Sequence, residues 1–332
     1  MTDRSLFNIR HYWLPLYVFE VIINAAVLIY DVLIGRIKRR NTVFTVHGGA
    51  FLAPLIAARF TGIPVLWIIH ETTPSYYKYI KLGKMLIANS NSEIAVVAKK
   101  AREVYGLKNT AFLPGSIDES YWSLERVDKA EVVACSWLRC CAKGEKIFRI
   151  VAVANLNPLK GLDILLDALS YVDFPFHLQV VGSVLSTHQN YAKKLEQQVQ
   201  RLIEADKSSR IDFLGWQHEE RVRALLASCD LFVLPSRSEA CPIALLEAMS
   251  MGCSIVAADV GDVSAMLAKS SNAKIFEAGC LPELVKEIVD ARSRFCLEKA
   301  GNSKGFIGPE WQLSRLAEET AIVYRKLLSK CP

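Results

Sequence analysis

The stretch Leu231-Phe232-Val233-Leu234-Pro235-Ser236-Arg237-Ser238-Glu239-Ala240-Cys241-Pro242-Ile243-Ala244-Leu245-Leu246-Glu247-Ala248-Met249 decides the fold. Leu231–Leu234 is a short, wholly apolar run stopped by proline, which is how a strand buried on both faces reads. Pro242 suits the first turn of a helix, and Ile243–Met251 continues with helical spacing. Ser254–Ala257 is the next apolar run. Strand, helix, strand at this spacing is a βαβ unit in a parallel sheet.

The same alternation extends in both directions. Downstream, Pro282–Arg292 reads as a helix and Trp311–Leu328 as an amphipathic one. Upstream, strands are expected at Ile147–Val153, Leu178–Val181 and Ile211–Leu214, with helices at Asp163–Leu169, Tyr191–Ala205 and Glu219–Ala227. Tyr121–Gly144 is irregular and is expected to hold a linker. Before it a second series is expected: strands at Thr42–Val46, Val65–Ile69, Met85–Ala88 and Ala111–Leu113, and helices at Ala50–Phe60 and Ile94–Tyr105. The expected organisation is an N-terminal domain over 1–140, a second over 145–305, and a last helix over 306–332 that crosses back to the first.

Composition fits this picture. The 332 residues suffice for two cores, and 52% are hydrophobic against 22% charged. A net charge of +6 favours anionic partners without arguing for nucleic acid, since no basic stripe interleaves with aromatics. The nine Cys form no C-x-x-C pair, so buried free thiols in a reducing compartment are expected, and no metal site. Met1–Asn8 lacks the pattern of a signal peptide. Leu14–Ile37 is long and apolar, but Glu20, Asn24 and Asp31 lie within about 40° of one another on a helix. A helix buried between a sheet and a neighbour is the preferred reading. A membrane span is the lesser one, kept open by Arg36, Lys38, Arg39 and Arg40.

Ligands of open parallel sheets sit beyond the carboxyl ends of the strands, and three places there carry chemistry. Asn155-Leu156-Asn157-Pro158-Leu159-Lys160-Gly161 leads into a helix, offering free N–H groups and a lysine to an anion. A plain turn with a solvated lysine reads equally well there. In the opening stretch, Glu239 precedes the helix and Glu247 lies inside it, where a carboxylate needs partners such as sugar hydroxyls or a structural cation. Phe213-Leu214-Gly215-Trp216 ends a strand in glycine, allowing close backbone approach.

Together these motifs resemble glycosyltransferase family 4, over roughly Ile147 to Ala268. The most specific element is the E-x7-E spacing of Glu239 and Glu247 in S-x-x-E-A-x-P-x-x-L-L-E-A-M-S-x-G. The resemblance implies a GT-B fold: two Rossmann-like, doubly wound parallel-sheet α/β domains facing a cleft, the N-terminal one shortened here. It implies that Asn155 belongs to the donor-binding set, that Lys160 and Gly161 meet the donor diphosphate, that Glu239 lies by the donor sugar, and that Glu247 holds the ribose. Ala240, Cys241 and Pro242 would line the donor, backbone amides at Ile243 and Ala244 would meet phosphate, and Gly215 and Trp216 would flank the base. His70, ending Val65–His70, would face donor and acceptor. His70, Glu239 and Lys160 are thus the implied catalytic set.

The implied reaction is a retaining transfer from a UDP- or GDP-linked sugar, with no cofactor and no metal, since there is no D-x-D pair. The acceptor would be a glycan or lipid-linked sugar in surface polysaccharide biosynthesis. Tyr76-Tyr77-Lys78-Tyr79 with Lys81 and Lys84 adds peripheral contact at the inner membrane face of a cytoplasmic protein. The departures are Asn155 where an arginine is usual, Gly261-Asp262-Val263-Ser264-Ala265 without the usual acid, and no opening strand with a glycine-rich loop. A truncated reading frame, a shortened domain or one part of a split enzyme are the corresponding explanations. The rivals are a non-catalytic or split homologue acting as a binding partner, and a phosphorylase or epimerase on the same fold.

Overall fold

The computed structural model describes residues 14–39, 41–88, 91–128, 132, 146–205, 208–297 and 305–329. The chain divides into two compact units. The first comprises Met1–Leu113 with Ala317–Pro332, and the second Pro114–Leu316. The division falls at 113/114, whereas much of the stretch read as a linker lies outside the described residues.

The first unit begins with helix α1 (Leu14–Leu33), then β1 (Phe44–His47), α2 (Ala53–Thr61), β2 (Val65–Ile69), α3 (Tyr77–Ile87), β3 (Ser92–Val96), α4 (Lys99–Tyr105) and β4 (Ala111–Phe112). The strands form a parallel sheet in the order β1-β2-β3-β4. Val65–Ile69 is buried at every position, as expected of a central parallel strand. Gly62, with φ +73 and open space where a Cβ would stand, ends α2 and turns the chain into β2.

Two expectations fail here. Met85–Ala88 is not a strand: through Ile87 it is the last turn of α3, and the strand lies at Ser92–Val96, overlapping the start of the segment read as helix, whose later part is α4. A four-residue apolar run has no periodicity that tells helix from strand. In addition, α1 is not buried between two layers. It packs on α2, and its Glu20, Asn24 and much of its apolar surface face solvent. No described helix is long and apolar enough to cross a membrane.

The second unit holds β5 (Phe148–Val153), α5 (Leu162–Leu169), β6 (Phe176–Val181), α6 (Gln189–Ala205), β7 (Arg210–Gly215), α7 (Glu219–Ser228), β8 (Leu231–Leu234), α8 (Ile243–Ser250), β9 (Ile255–Ala258), α9 (Val263–Leu267), β10 (Ala273–Phe276) and α10 (Leu281–Leu297). The sheet order β10-β9-β8-β5-β6-β7 places strands on both sides of β5, so the winding reverses there. β10 was not foreseen: its pattern is half exposed, and it lacks the apolar run of its neighbours. Apolar clusters cover both faces of this sheet, one with Phe148, Phe176 and Leu284, the other with Phe232, Leu246 and Trp311. The last helix, α11 (Leu313–Leu328), joins the first unit from Ala317 onward. There Lys326 pairs with Glu93 at 2.6 Å, and Asn91 donates to the Leu327 carbonyl.

Candidate active site

The strands of the second unit end in residues that turn sharply and touch each other. After β5, Asn157 accepts a hydrogen bond from the Leu159 amide through its side chain and fixes the turn Pro158–Lys160. Gly161 follows with φ +65, and a Cβ there would lie 2.0 Å from the Pro235 carbonyl oxygen. Only glycine lets this turn rest against the end of β8. The contact brings Lys160 to the loop after β8. Its Nζ donates to Glu239 Oε1 at 2.7 Å, and Ser236 Oγ, fully buried, donates to the same oxygen at 2.8 Å. The side chains of Lys160 and Glu239 are 28% and 9% exposed, so the pair is shielded enough for breaking it to be costly.

Arg237 was not foreseen in this arrangement. It grips the Lys160 turn, donating to Asp163 with both terminal nitrogens at 2.7 and 2.9 Å and to the Pro158 carbonyl at 2.8 Å. Its backbone amide donates to the Leu159 carbonyl. Burial would raise the Asp163 carboxyl, but hydrogen bonds from Arg237 and Tyr191 outweigh it and hold it below the usual range. The signal was in the sequence as an arginine between two serines, yet nothing local links it to an aspartate 74 positions away.

Glu247 lies on α8, one turn in. Burial, reinforced by Glu219, pushes its carboxyl up to about 7, and no hydrogen bond or ion pair to it is seen among the described residues. A shielded carboxylate with unused acceptors suits paired hydroxyl groups. Gly261 supports the same loop from behind. With φ +57, a Cβ there would meet the Glu239 carbonyl oxygen at 2.3 Å, and the next amide, of Asp262, donates to the Ala240 carbonyl. The Cys241 thiol, pushed up to about 12 by burial, contacts the Gly115 carbonyl and is no nucleophile. Pro242 precedes α8, whose first residues are Ile243 and Ala244.

Asn155, in place of an arginine, accepts from the Ser183 amide at 3.0 Å and ties two strand ends together. Gly215 ends β7 with φ +66, and its carbonyl accepts from the Gly182 amide. Trp216 is 64% exposed, its ring edge-on to His218 at 4.5 Å. Lys160, Glu239, Glu247 and the turns around them therefore share one unit and one end of its sheet.

Residues 147–293 match the family model for Glycosyl transferases group 1. The matched segment contains Asn155, Lys160, Gly161, Gly215, Trp216, Arg237 and Glu239 through Glu247, whereas His70 and Gly115 lie outside it. An uncharacterised glycosyltransferase of Methanocaldococcus jannaschii is 26% identical over 46% of this chain and 40% of its own length. A D-inositol 3-phosphate glycosyltransferase of Rhodococcus erythropolis is 28% identical over 53% of this chain and 38% of its own. The chain thus spans about two fifths of the length of these curated relatives. The crystal structure of Anabaena HepE with UDP and glucose superposes with a TM-score of 0.63 at 19% identity, covering 86% of this chain and 72% of that one. The fold is GT-B.

His70 stands in the first unit, after β2. Its Nε2 lies 2.9 Å from His47 Nδ1. Burial lowers the His70 imidazole, His47 lowers it further, and Glu71 opposes both. Glu71 is itself seated against glycine backbone, accepting from the Gly49 amide at 2.8 Å. A neutral His70 can donate or accept at pH 7.

Proposed function

We propose that the chain is a retaining glycosyltransferase, moving a sugar from a UDP- or GDP-linked donor to a glycan or lipid-linked acceptor in surface polysaccharide biosynthesis. The observation that carries this reading is the meeting of Lys160 with Glu239 beside a shielded Glu247 that has no side-chain partner among the described residues, at the sheet end where ligands of parallel sheets bind. The group 1 match and the UDP and glucose held by the HepE structure support a nucleotide-sugar donor.

In this reading, Lys160 releases its contact to Glu239 and turns to the diphosphate. It stabilises the charge that develops as the sugar leaves, and α8 adds its N-terminal amides. Glu239, freed in part, accepts from a donor-sugar hydroxyl. Glu247 accepts from the ribose hydroxyls, which restores partners to a buried carboxylate. The site asks for no cofactor and works in the cytoplasm, where nucleotide sugars are at hand.

Incubation with UDP-glucose, GDP-mannose and ADP-glucose tests this, with a lipid-linked sugar added as acceptor and water as the default one, released nucleotide as readout and the anomer of the sugar product followed by proton NMR. One donor should turn over with retained configuration, and Lys160→Ala should cut its turnover about 100-fold or more. Turnover with inversion would sink retention, and no turnover of any donor would favour a second reading. That second reading, a non-catalytic or split homologue that binds a partner, is favoured by Asn155, which binds the Ser183 amide and supplies no charge.

A further inference from the structure

Helix α1 carries a surface that the catalytic reading does not use. At 100° per residue, Val18, Ile22, Leu33, Ala26, Phe19, Tyr30, Ile23 and Val27 fill an arc of about 180°, and all eight are exposed. Phe19 is 62% exposed and Leu33 69%. Glu20, Asp31 and Asn24 form a narrow polar seam on one flank, and Ala25 and Val32 are buried on the opposite side. A helix of 20 residues is about 30 Å long. Such a face, about 30 Å long and one helix wide, is on the scale of the largest apolar patch of an ordinary monomer, roughly 300–600 Å², which is commonly functional.

Charge points to what covers it. The first unit has 17 Lys and Arg against 8 Asp and Glu, a net charge of +9, while the second has 23 against 26, a net of −3. Arg36, Lys38 and Arg39 follow α1 directly and are exposed. On α3, which shares α2 as a neighbour with α1, Lys78, Lys81 and Lys84 are exposed beside exposed Tyr77, Leu82 and Met85. Protein interfaces are depleted in lysine. An apolar helix face on a lysine-rich body fits the boundary between headgroups and acyl chains of an anionic bilayer. Among the described residues β1 is an edge strand, so a polypeptide adding a strand there is the competing occupant, but it gives the lysines no role.

We propose that the exposed apolar face of α1, flanked by the basic residues of the first unit, lays the protein on an anionic phospholipid surface. The helix lies in the interface and does not span it. This docking is independent of the donor site.

Co-sedimentation of the full chain with phosphatidylcholine vesicles, and with vesicles mixing phosphatidylcholine and phosphatidylglycerol, tests the proposal. Binding should require phosphatidylglycerol and weaken in high salt. Phe19→Gln/Ile23→Gln should weaken it at least tenfold and Lys81→Glu/Lys84→Glu severalfold, whereas Tyr171→Gln, an exposed aromatic of the second unit, should leave it unchanged. All four substituted positions of the double variants are exposed, and circular dichroism checks that the variants fold. Binding to neither vesicle by folded protein overturns the proposal, as does binding that ignores Phe19→Gln/Ile23→Gln. A wild-type oligomer that this variant dissociates, without vesicle binding, assigns the face to a protein partner instead. Donor turnover is not read, so failure here leaves the proposed activity standing.

Discussion

Glu247 is the residue whose chemistry is most exposed to test. Its carboxyl ordinarily titrates near 4.5 and is raised to about 7 by burial and by Glu219. The native state therefore holds a proton that the unfolded state has lost between those values, so stability falls as pH rises through this window and stays lower above it. Glu247→Gln removes the cost. Relative to wild type, it should be about 1–3 kcal/mol more favourable at pH 8 than at pH 5, measured by denaturant unfolding at both values. A pH-independent difference would contradict the account of Glu247. A residue that destabilises its own fold is a mark of a binding group, and the same variant should bind nucleotide poorly. At this scale the sequence was informative but incomplete. A glutamate inside an apolar helix stands out by itself. That Lys160 and Glu239, 79 positions apart, serve one site came only from the family resemblance, and their direct contact, like that of Arg237 with Asp163, came from neither.

At the scale of elements, the site is built by turns that need glycine. Gly161 and Gly261 both have positive φ and both face backbone oxygens of the loop after β8. Gly279 has φ +84 with nothing within 4 Å of its missing Cβ, which makes it the control within the same unit. Gly279→Ala should cost about 1–2 kcal/mol, the left-handed backbone penalty alone. Gly161→Ala should cost clearly more, because Pro235 is backbone and cannot step aside, and it should also displace Lys160. Equal costs, read from thermal unfolding, would show that the turn does not rest on β8. The elements of the second unit were legible because its inner strands, such as Leu231–Leu234, are apolar throughout and bounded by Gly, Pro or polar turns. Those of the first unit were less so. Met85-Leu86-Ile87-Ala88 is too short for periodicity to speak, and the surroundings of α1 depend on what packs beside it, which no local pattern encodes.

At the scale of the molecule, each unit has its own core, and the charge divides as +9 and −3. The group 1 segment lies wholly in the second unit, so the proposed donor site belongs to that unit, and the membrane surface proposed for α1 belongs to the first. The central claim is donor recognition by Lys160, Glu239 and Glu247. Isothermal titration of the full chain with UDP, GDP and ADP tests it most directly, in buffers of different ionisation enthalpy near pH 7. The account predicts saturable binding of one nucleotide with release of a fraction of a proton, as ribose hydroxyls draw Glu247 into its charged form. It predicts binding about tenfold to a hundredfold weaker in Lys160→Ala and proton release lost in Glu247→Gln. No binding by folded protein, or binding that neither variant changes, would contradict it.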